Sequence, residues 1–225
     1  KKVSLELGGS NSLIVLDDMN SDADLDLAAS NVAWGAWLHQ GQICMASNRV
    51  LVHEAIAPAI TERLIAKATH LPVGDGATGQ VALGPLIDER QRDRVHATVM
   101  ASVKAGAQLL AGGSYDKLFY KPTVLAGVKP GMPSFDDETF GPALPIVPFD
   151  SEDEAIRMAN DTPFGLAAYF FTRDIGRAFR VAEGLEYGIV GVNDPLPTAP
   201  QIPFGGYKES GLGRENGSMG IEEFM

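Results

Sequence analysis

The sequence is poor in cysteine: a single one stands in 225 residues. No internal disulfide can form, so a reducing, cytoplasmic setting is expected. Histidine is scarce as well, and His39, His53, His70 and His96 form no Cys/His group with metal-ligand spacing, so no metal is expected. Basic charge is in deficit, 18 Lys and Arg against 29 Asp and Glu for a net charge of −11. That balance, with the basic residues scattered, argues against nucleic-acid binding by bulk electrostatics. No apolar run approaches the roughly 20 residues that cross a bilayer. The opening Lys1-Lys2-Val3-Ser4-Leu5-Glu6 reaches a carboxylate before an apolar run can develop, so neither a secretory leader nor a membrane partner is expected. Internal repeats and low-complexity segments are also lacking.

What is present is an alternation of strand and helix patterns. Continuous apolar runs over 12–16, 143–149 and 166–171 suit strands covered on both faces. Further strands are expected over 49–53, 107–111, 120–125 and 188–192, with Pro122 restricting its strand to a sheet edge. Helices are expected over 25–38 behind the N-cap residues Asn20-Ser21-Asp22, over 57–69 with Ile60, Leu64 and Ile65 inward, and onward from Asp88 past Val95, Val99 and Val103. Two more are expected from Ser151 through Met158 and over 174–183. The charges of Glu89-Arg90-Gln91-Arg92-Asp93-Arg94 read as a solvated face, and Trp34 and Trp37 as core or interface. Gly74-Asp75-Gly76-Ala77-Thr78-Gly79 is a surface loop; no strand leads directly in and no Gly-Lys-Ser/Thr follows, so it is not a phosphate loop. The pattern gives an α/β fold with a largely parallel twisted sheet and helices on both faces.

The lone cysteine lies in Leu38-His39-Gln40-Gly41-Gln42-Ile43-Cys44-Met45, between an expected helix and an expected strand. Gly41, without a Cβ, can end the helix and turn the chain sharply into a loop. Local sequence leaves two readings of Cys44 open: a small buried hydrophobe, or a nucleophile at a helix-to-strand junction. A five-residue gap across a glycine gives no reason to pair it with His39.

Four blocks change the odds. Leu5-Glu6-Leu7-Gly8-Gly9, Gly41-Gln42-Ile43-Cys44, Asp137-Glu138-Thr139-Phe140-Gly141-Pro142 and Pro203-Phe204-Gly205-Gly206-Tyr207-Lys208-Glu209-Ser210-Gly211 follow one another in this order. Together they resemble the aldehyde dehydrogenase superfamily. The resemblance covers essentially the whole chain and the C-terminal half of the family's usual polypeptide. It implies that residues 1–225 are the catalytic domain, beginning at the glutamate motif, with most of the coenzyme-binding domain outside them.

The resemblance also implies roles. Cys44 is the nucleophile and Glu6 the general base; Glu138, Phe140 and Leu7 hold the coenzyme, NAD or NADP. Phe204 lines the substrate tunnel, Glu215 stands near a proton path, Asn193 is structural, and Arg49 is an ion-pair or anion-binding residue. The partner is a small-molecule aldehyde, and the assembly a homodimer or homotetramer. The chemistry is consistent: a thiolate adds to an aldehyde carbon, the adduct expels hydride, and a carboxylate activates water against the thioester. That thiol needs a lowered pKa or a base to take its proton. The block around Cys44 is similar to benzaldehyde-, vanillin- and salicylaldehyde-type members, whereas Asn193-Asp194-Pro195-Leu196-Pro197 also resembles succinate-semialdehyde-type members. An aromatic aldehyde is the expected substrate. Alternatives are a succinate semialdehyde, a CoA-acylating reaction that Glu6 speaks against, and an inactive scaffold or oligomerisation fragment. One departure stands out: the spacing from Glu6 to Cys44 is about four residues longer than the family's, through Met19-Asn20-Ser21-Asp22, and is expected to be absorbed in a surface loop.

Overall fold

Asn11-Ser12-Leu13-Ile14-Val15 exposes none of its side chains, as a strand packed on both faces requires. The computed structural model describes residues 2–225 and places this segment, β1 (Asn11–Val15), inside a seven-stranded sheet. The remaining strands are β2 (Ser47–His53), β3 (Gln108–Ala111), β4 (Thr123–Ala126), β5 (Ala143–Phe149), β6 (Ala167–Phe171) and β7 (Ile189–Val192). Their spatial order is β7-β6-β1-β2-β5-β4-β3. Every neighbouring pair is parallel except β4 with β3, the antiparallel edge.

Side chains alternate across this sheet as the two-residue period of a strand requires. Leu13, Val15, Val50, Val52, Leu144, Ile146, Tyr169 and Phe171 face α1 (Asp22–Trp37) and α2 (Ala57–His70). Ile14, Leu51, Val147 and Phe170 face α3 (Glu89–Lys104), α4 (Glu152–Asn160) and α5 (Ile175–Gly184). Each fully buried aliphatic side chain contributes about 1.5–3 kcal/mol to this two-sided core. The helices start where their caps dictate. Ser21 accepts from the Asp24 N–H at 3.2 Å, Asp88 from Gln91 at 2.7 Å and Asp174 from Arg177 at 2.7 Å.

Four expectations need correction. The strand around Pro122 breaks in two: Phe119–Tyr120 pairs with Tyr115–Asp116, while β4 starts after the proline and lies inside the sheet, so the proline ends a pairing instead of marking an edge. The extra residues before α1 are more than a surface loop, because Met19 is only 1% exposed and fills the α1 side of the core, and Ser21 caps the helix. They lie at the carboxyl end of β1, a strand of about 16 Å, away from Glu6 and Cys44 at the other end. The polar start of α3 is only partly a solvated face. Gln91 donates to the Phe140 carbonyl at 2.7 Å and Arg94 to the Glu138 carbonyl at 2.8 Å.

Arg49 is the fourth. It is 1% exposed and makes no ion pair among the described residues. Its guanidinium donates to the carbonyls of Ser10, Met158, Ala159 and Asp161 and to the Tyr187 hydroxyl, and lies over the Phe135 ring. Burial lowers its pKa, and Tyr187 opposes that effect. It is a structural cross-link from β1 and β2 to α4. Trp37 is core, whereas Trp34 remains 39% exposed. Among the described residues no helix is long and apolar enough to cross a membrane.

Candidate active site

Ligands of open parallel sheets usually bind beyond the carboxyl ends of the strands. Here the motif residues gather at the opposite edge. Glu6, Gly8 and Gly9 precede β1, Cys44 precedes β2, and Glu138 and Phe140 precede β5. Since β1, β2 and β5 are consecutive in the sheet, three segments far apart in sequence enter it side by side.

Cys44 is half-buried, at a corner of a tight turn closed by the Ala46 N–H donating to the Ile43 carbonyl at 3.0 Å. The chain reaches this turn through a left-handed passage: His39 and Gln40 have φ of 50° and 61°, and Gly41 has 67°. Each of the two non-glycine residues costs about 1–2 kcal/mol in that conformation. Gly41 carries a second constraint, because a Cβ there would lie 2.3 Å from the Gly141 carbonyl oxygen. The passage therefore seats the Cys44 turn against the loop that carries Phe140.

Glu6 lies in a two-residue strand, Leu5–Glu6, paired antiparallel with Gly211–Leu212. Its side chain is largely exposed, yet its pKa is raised by partial burial and by the Glu215 carboxylate, with Arg214 opposing. Glu215 is held through a reciprocal backbone pair with Phe204, at 2.7 and 2.6 Å, and Phe204 packs half-buried on the core. Glu6, Glu215 and Phe204 are thus drawn into one neighbourhood. Leu7 is anchored by its N–H on the Ser210 carbonyl at 2.9 Å and leaves its side chain 55% exposed.

The Cys44 thiol is pushed above its ordinary range, first by burial and then by the negative charges of Glu6 and Glu138. Burial and these two carboxylates work against a lowered thiol pKa, the first of the two routes the sequence allows. Glu138 is the third member. Its Oε1 accepts from the Gly9 N–H at 3.1 Å, and burial raises its pKa. Its Oε2 has no hydrogen-bond partner among the described residues and closes over Gly8, where a Cβ would come within 2.8 Å of it. A half-buried carboxylate with one oxygen anchored and one free fits a sugar hydroxyl, as the coenzyme implied by the motifs would require.

Asn193 has φ 55° and pairs both ways with the Thr172 backbone, a structural role. Sequence reading missed Asn11, Tyr169, Gln91 and Arg94, which hold the Cys44 turn and the 138–140 loop. The signal for Asn11 and Tyr169 was available: a polar atom in each of two otherwise apolar strands must find a partner. A cavity of about 20 Å³ beside the turn is lined by Trp34, Gly35, Leu38, Ile43, Met45, Ala46, Pro195 and Leu196. No charged side chain lines it.

A family model described as the aldehyde dehydrogenase family matches residues 1–225. A benzaldehyde dehydrogenase [NAD(+)] of Pseudomonas putida is 50% identical over 100% of this chain and 46% of its own length. A vanillin dehydrogenase of Amycolatopsis sp. is 46% identical over 100% of this chain and 46% of its own. The crystal structure of a succinate-semialdehyde dehydrogenase from Burkholderia pseudomallei superimposes with a TM-score of 0.95 at 45% identity, over 100% of this chain and 46% of that one. The chain spans about half the length of the curated relatives it matches.

Proposed function

Because the chain belongs to the aldehyde dehydrogenase family, we propose that it forms the catalytic part of an enzyme that oxidises an aldehyde to the carboxylic acid with NAD or NADP. The observation that carries this reading is the convergence of Cys44 with Glu6 and Glu138, whose charges both act on the thiol.

The Cys44 thiol releases its proton to water, and the freed sulfur forms a bond to the aldehyde carbon. The carbonyl oxygen becomes an oxyanion, met by the backbone N–H of Cys44. Oxidised coenzyme, when bound, supplies the acceptor for hydride from that carbon. Glu138 would hold a ribose hydroxyl through its free oxygen, and Phe140 would pack on the ring. Glu6 then removes a proton from water, the hydroxide adds to the thioester carbon, the C–S bond breaks and Cys44 regains its proton. Glu215, whose charge already acts on Glu6, offers that proton a way out.

An aromatic aldehyde is the substrate we propose. The 50% identity to a benzaldehyde dehydrogenase and the 46% identity to a vanillin dehydrogenase support this reading. The likeness to a succinate-semialdehyde dehydrogenase structure supports the second reading. Hydrolysis by Glu6 makes CoA unnecessary as the thioester acceptor.

The test uses the full-length protein. Cys44→Ser abolishes oxidation of both benzaldehyde and succinate semialdehyde while the circular dichroism spectrum is unchanged; substantial residual turnover refutes the covalent mechanism. The wild-type protein prefers benzaldehyde in kcat/KM, and the reverse preference transfers the assignment to the semialdehyde.

A further inference from the structure

Resting on the reading of Cys44 as nucleophile, we propose that Asn11 and Tyr169 are positioning residues. Together they hold the three successive carbonyls of Cys44, Met45 and Ala46, and so aim the backbone N–H groups of the turn at the cysteine sulfur.

Asn11 is fully buried at the amino end of β1. Its Nδ2 donates to the Cys44 carbonyl at 2.7 Å and to the Ala46 carbonyl at 2.8 Å, and its Oδ1 accepts from the Ala167 N–H of β6 at 3.1 Å. The partners fix the amide's orientation, since two carbonyls can face only N–H groups and an N–H can face only the oxygen. Tyr169, also fully buried, donates its hydroxyl to the Met45 carbonyl at 2.8 Å. Burial, and then the charge of an ionised Cys44, raise the pKa of its phenol, so it remains a donor throughout. Room for this arrangement comes from Gly9, where a Cβ would stand 2.8 Å from Asn11 Oδ1 and 3.2 Å from the Cys44 carbonyl oxygen.

Peptide planarity turns this grip into chemistry. A carbonyl and the next residue's N–H share one plane and point in opposite directions. Asn11, by holding the Cys44 carbonyl on the sheet side, points the Met45 N–H the other way. The N–H groups of Cys44 and Met45 both favour the thiolate, against the burial and the two carboxylates that oppose it. Tyr169 fixes the next peptide and so keeps the turn from rotating about its corner. Two buried side chains thereby set how readily sulfur carries charge, without touching substrate.

The experiment follows the rate of Cys44 alkylation by iodoacetamide against pH in the full-length protein, read at the Cys44 peptide by mass spectrometry. Asn11→Ala moves the alkylation midpoint to higher pH and slows the reaction at neutral pH about tenfold, the effect of one charge-assisted hydrogen bond. Tyr169→Phe keeps the ring and its packing; it moves the midpoint the same way and slows the reaction about threefold. A role confined to stability lowers the melting temperature and leaves the pH profile in place, so wild-type midpoints in both variants overturn the proposal. Should Asn11→Ala fail to fold, Tyr169→Phe decides alone, and an unchanged midpoint there has the same force. The alkylation readout needs neither aldehyde nor coenzyme. Failure of the nucleophile reading shows separately, as aldehyde oxidation surviving in Cys44→Ser.

Discussion

Glu6→Gln preserves the length and shape of the side chain, its place in the short Leu5–Glu6 strand and the pairing with Gly211–Leu212. What it removes is a base and a negative charge, and the two losses have opposite signs in two assays. The Glu6 charge is the first charge among those that raise the Cys44 thiol, after burial. Removing it lowers the thiol pKa, so iodoacetamide alkylates Cys44 faster at any pH below the midpoint. Turnover moves the other way: without a base for water, thioester hydrolysis slows by about two to four powers of ten. Hydride transfer precedes that step, so rapid mixing gives one equivalent of NADH or NADPH per site and then a stall. Intact-mass spectrometry shows the acyl group on Cys44. The pH profile carries its own sign. Glu6 serves only when ionised, and burial together with Glu215 raises its pKa. The acidic limb of wild-type turnover therefore lies above the ordinary glutamate range and vanishes in the variant. Wild-type turnover by Glu6→Gln refutes the assignment, and acceleration by free CoA would make the enzyme an acylating one. Absence of both burst and adduct shifts the essential role of Glu6 to deprotonating the thiol.

Glu138→Gln, which keeps the contact with the Gly9 N–H but loses the carboxylate, slows the pre-steady-state burst while leaving thioester hydrolysis less affected; an unchanged burst rate refutes a coenzyme role. Gly8→Ala places a Cβ within 2.8 Å of Glu138 Oε2 at a φ of +82°, so it raises the coenzyme Kd measured by fluorescence titration, and an unchanged Kd removes Glu138 from the coenzyme site. Arg49→Met strands the carbonyls of Ser10 and Ala159 in the interior and costs about 3 kcal/mol, a fall of about 6–12 °C in Tm by calorimetry. A normal Tm would mean the guanidinium is not the cross-link described.

A cluster at the amino edge of a parallel sheet uses the fold differently from the usual crevice at the carboxyl edge. At the carboxyl end of β1 and β6 this chain carries an ion-pair network instead. Arg173 pairs with Asp24, Arg177 pairs with Asp17 at 2.6 Å, and Asp18 caps the Arg173 N–H at 2.8 Å. The added residues Met19 to Asp22 open onto this end. Loop length can therefore vary at one edge of the sheet without altering the spacing of strands that sets the geometry of the other.

Most of the elements and the chemistry of the individual residues were legible along the chain. Two-sided apolar runs suit buried strands, Ser21, Asp88 and Asp174 cap helices wherever those helices are placed, and Gly41 marks a sharp turn before any neighbour is known. Four motif blocks sufficed for the family. These properties are local, set by a residue's own backbone preference and its nearest neighbours along the chain. The order of strands is not local, and everything that depends on it was decided by the tertiary structure. Only the order β6-β1-β2-β5 brings Glu6, Cys44 and Glu138 together and makes the thiol harder, not easier, to ionise. Arg49 has the chemistry of an anion-binding residue, yet the fold surrounds it with carbonyls, because the last turn of α4 presents Met158 and Ala159 to it. Pro122 has the chemistry of an edge, yet the strand simply begins one residue later and takes an interior place. Asn11 and Tyr169 show the division most plainly: that each buried polar group needs a partner follows from the residue, but that the partners are the three carbonyls of one turn follows only from which strands lie side by side.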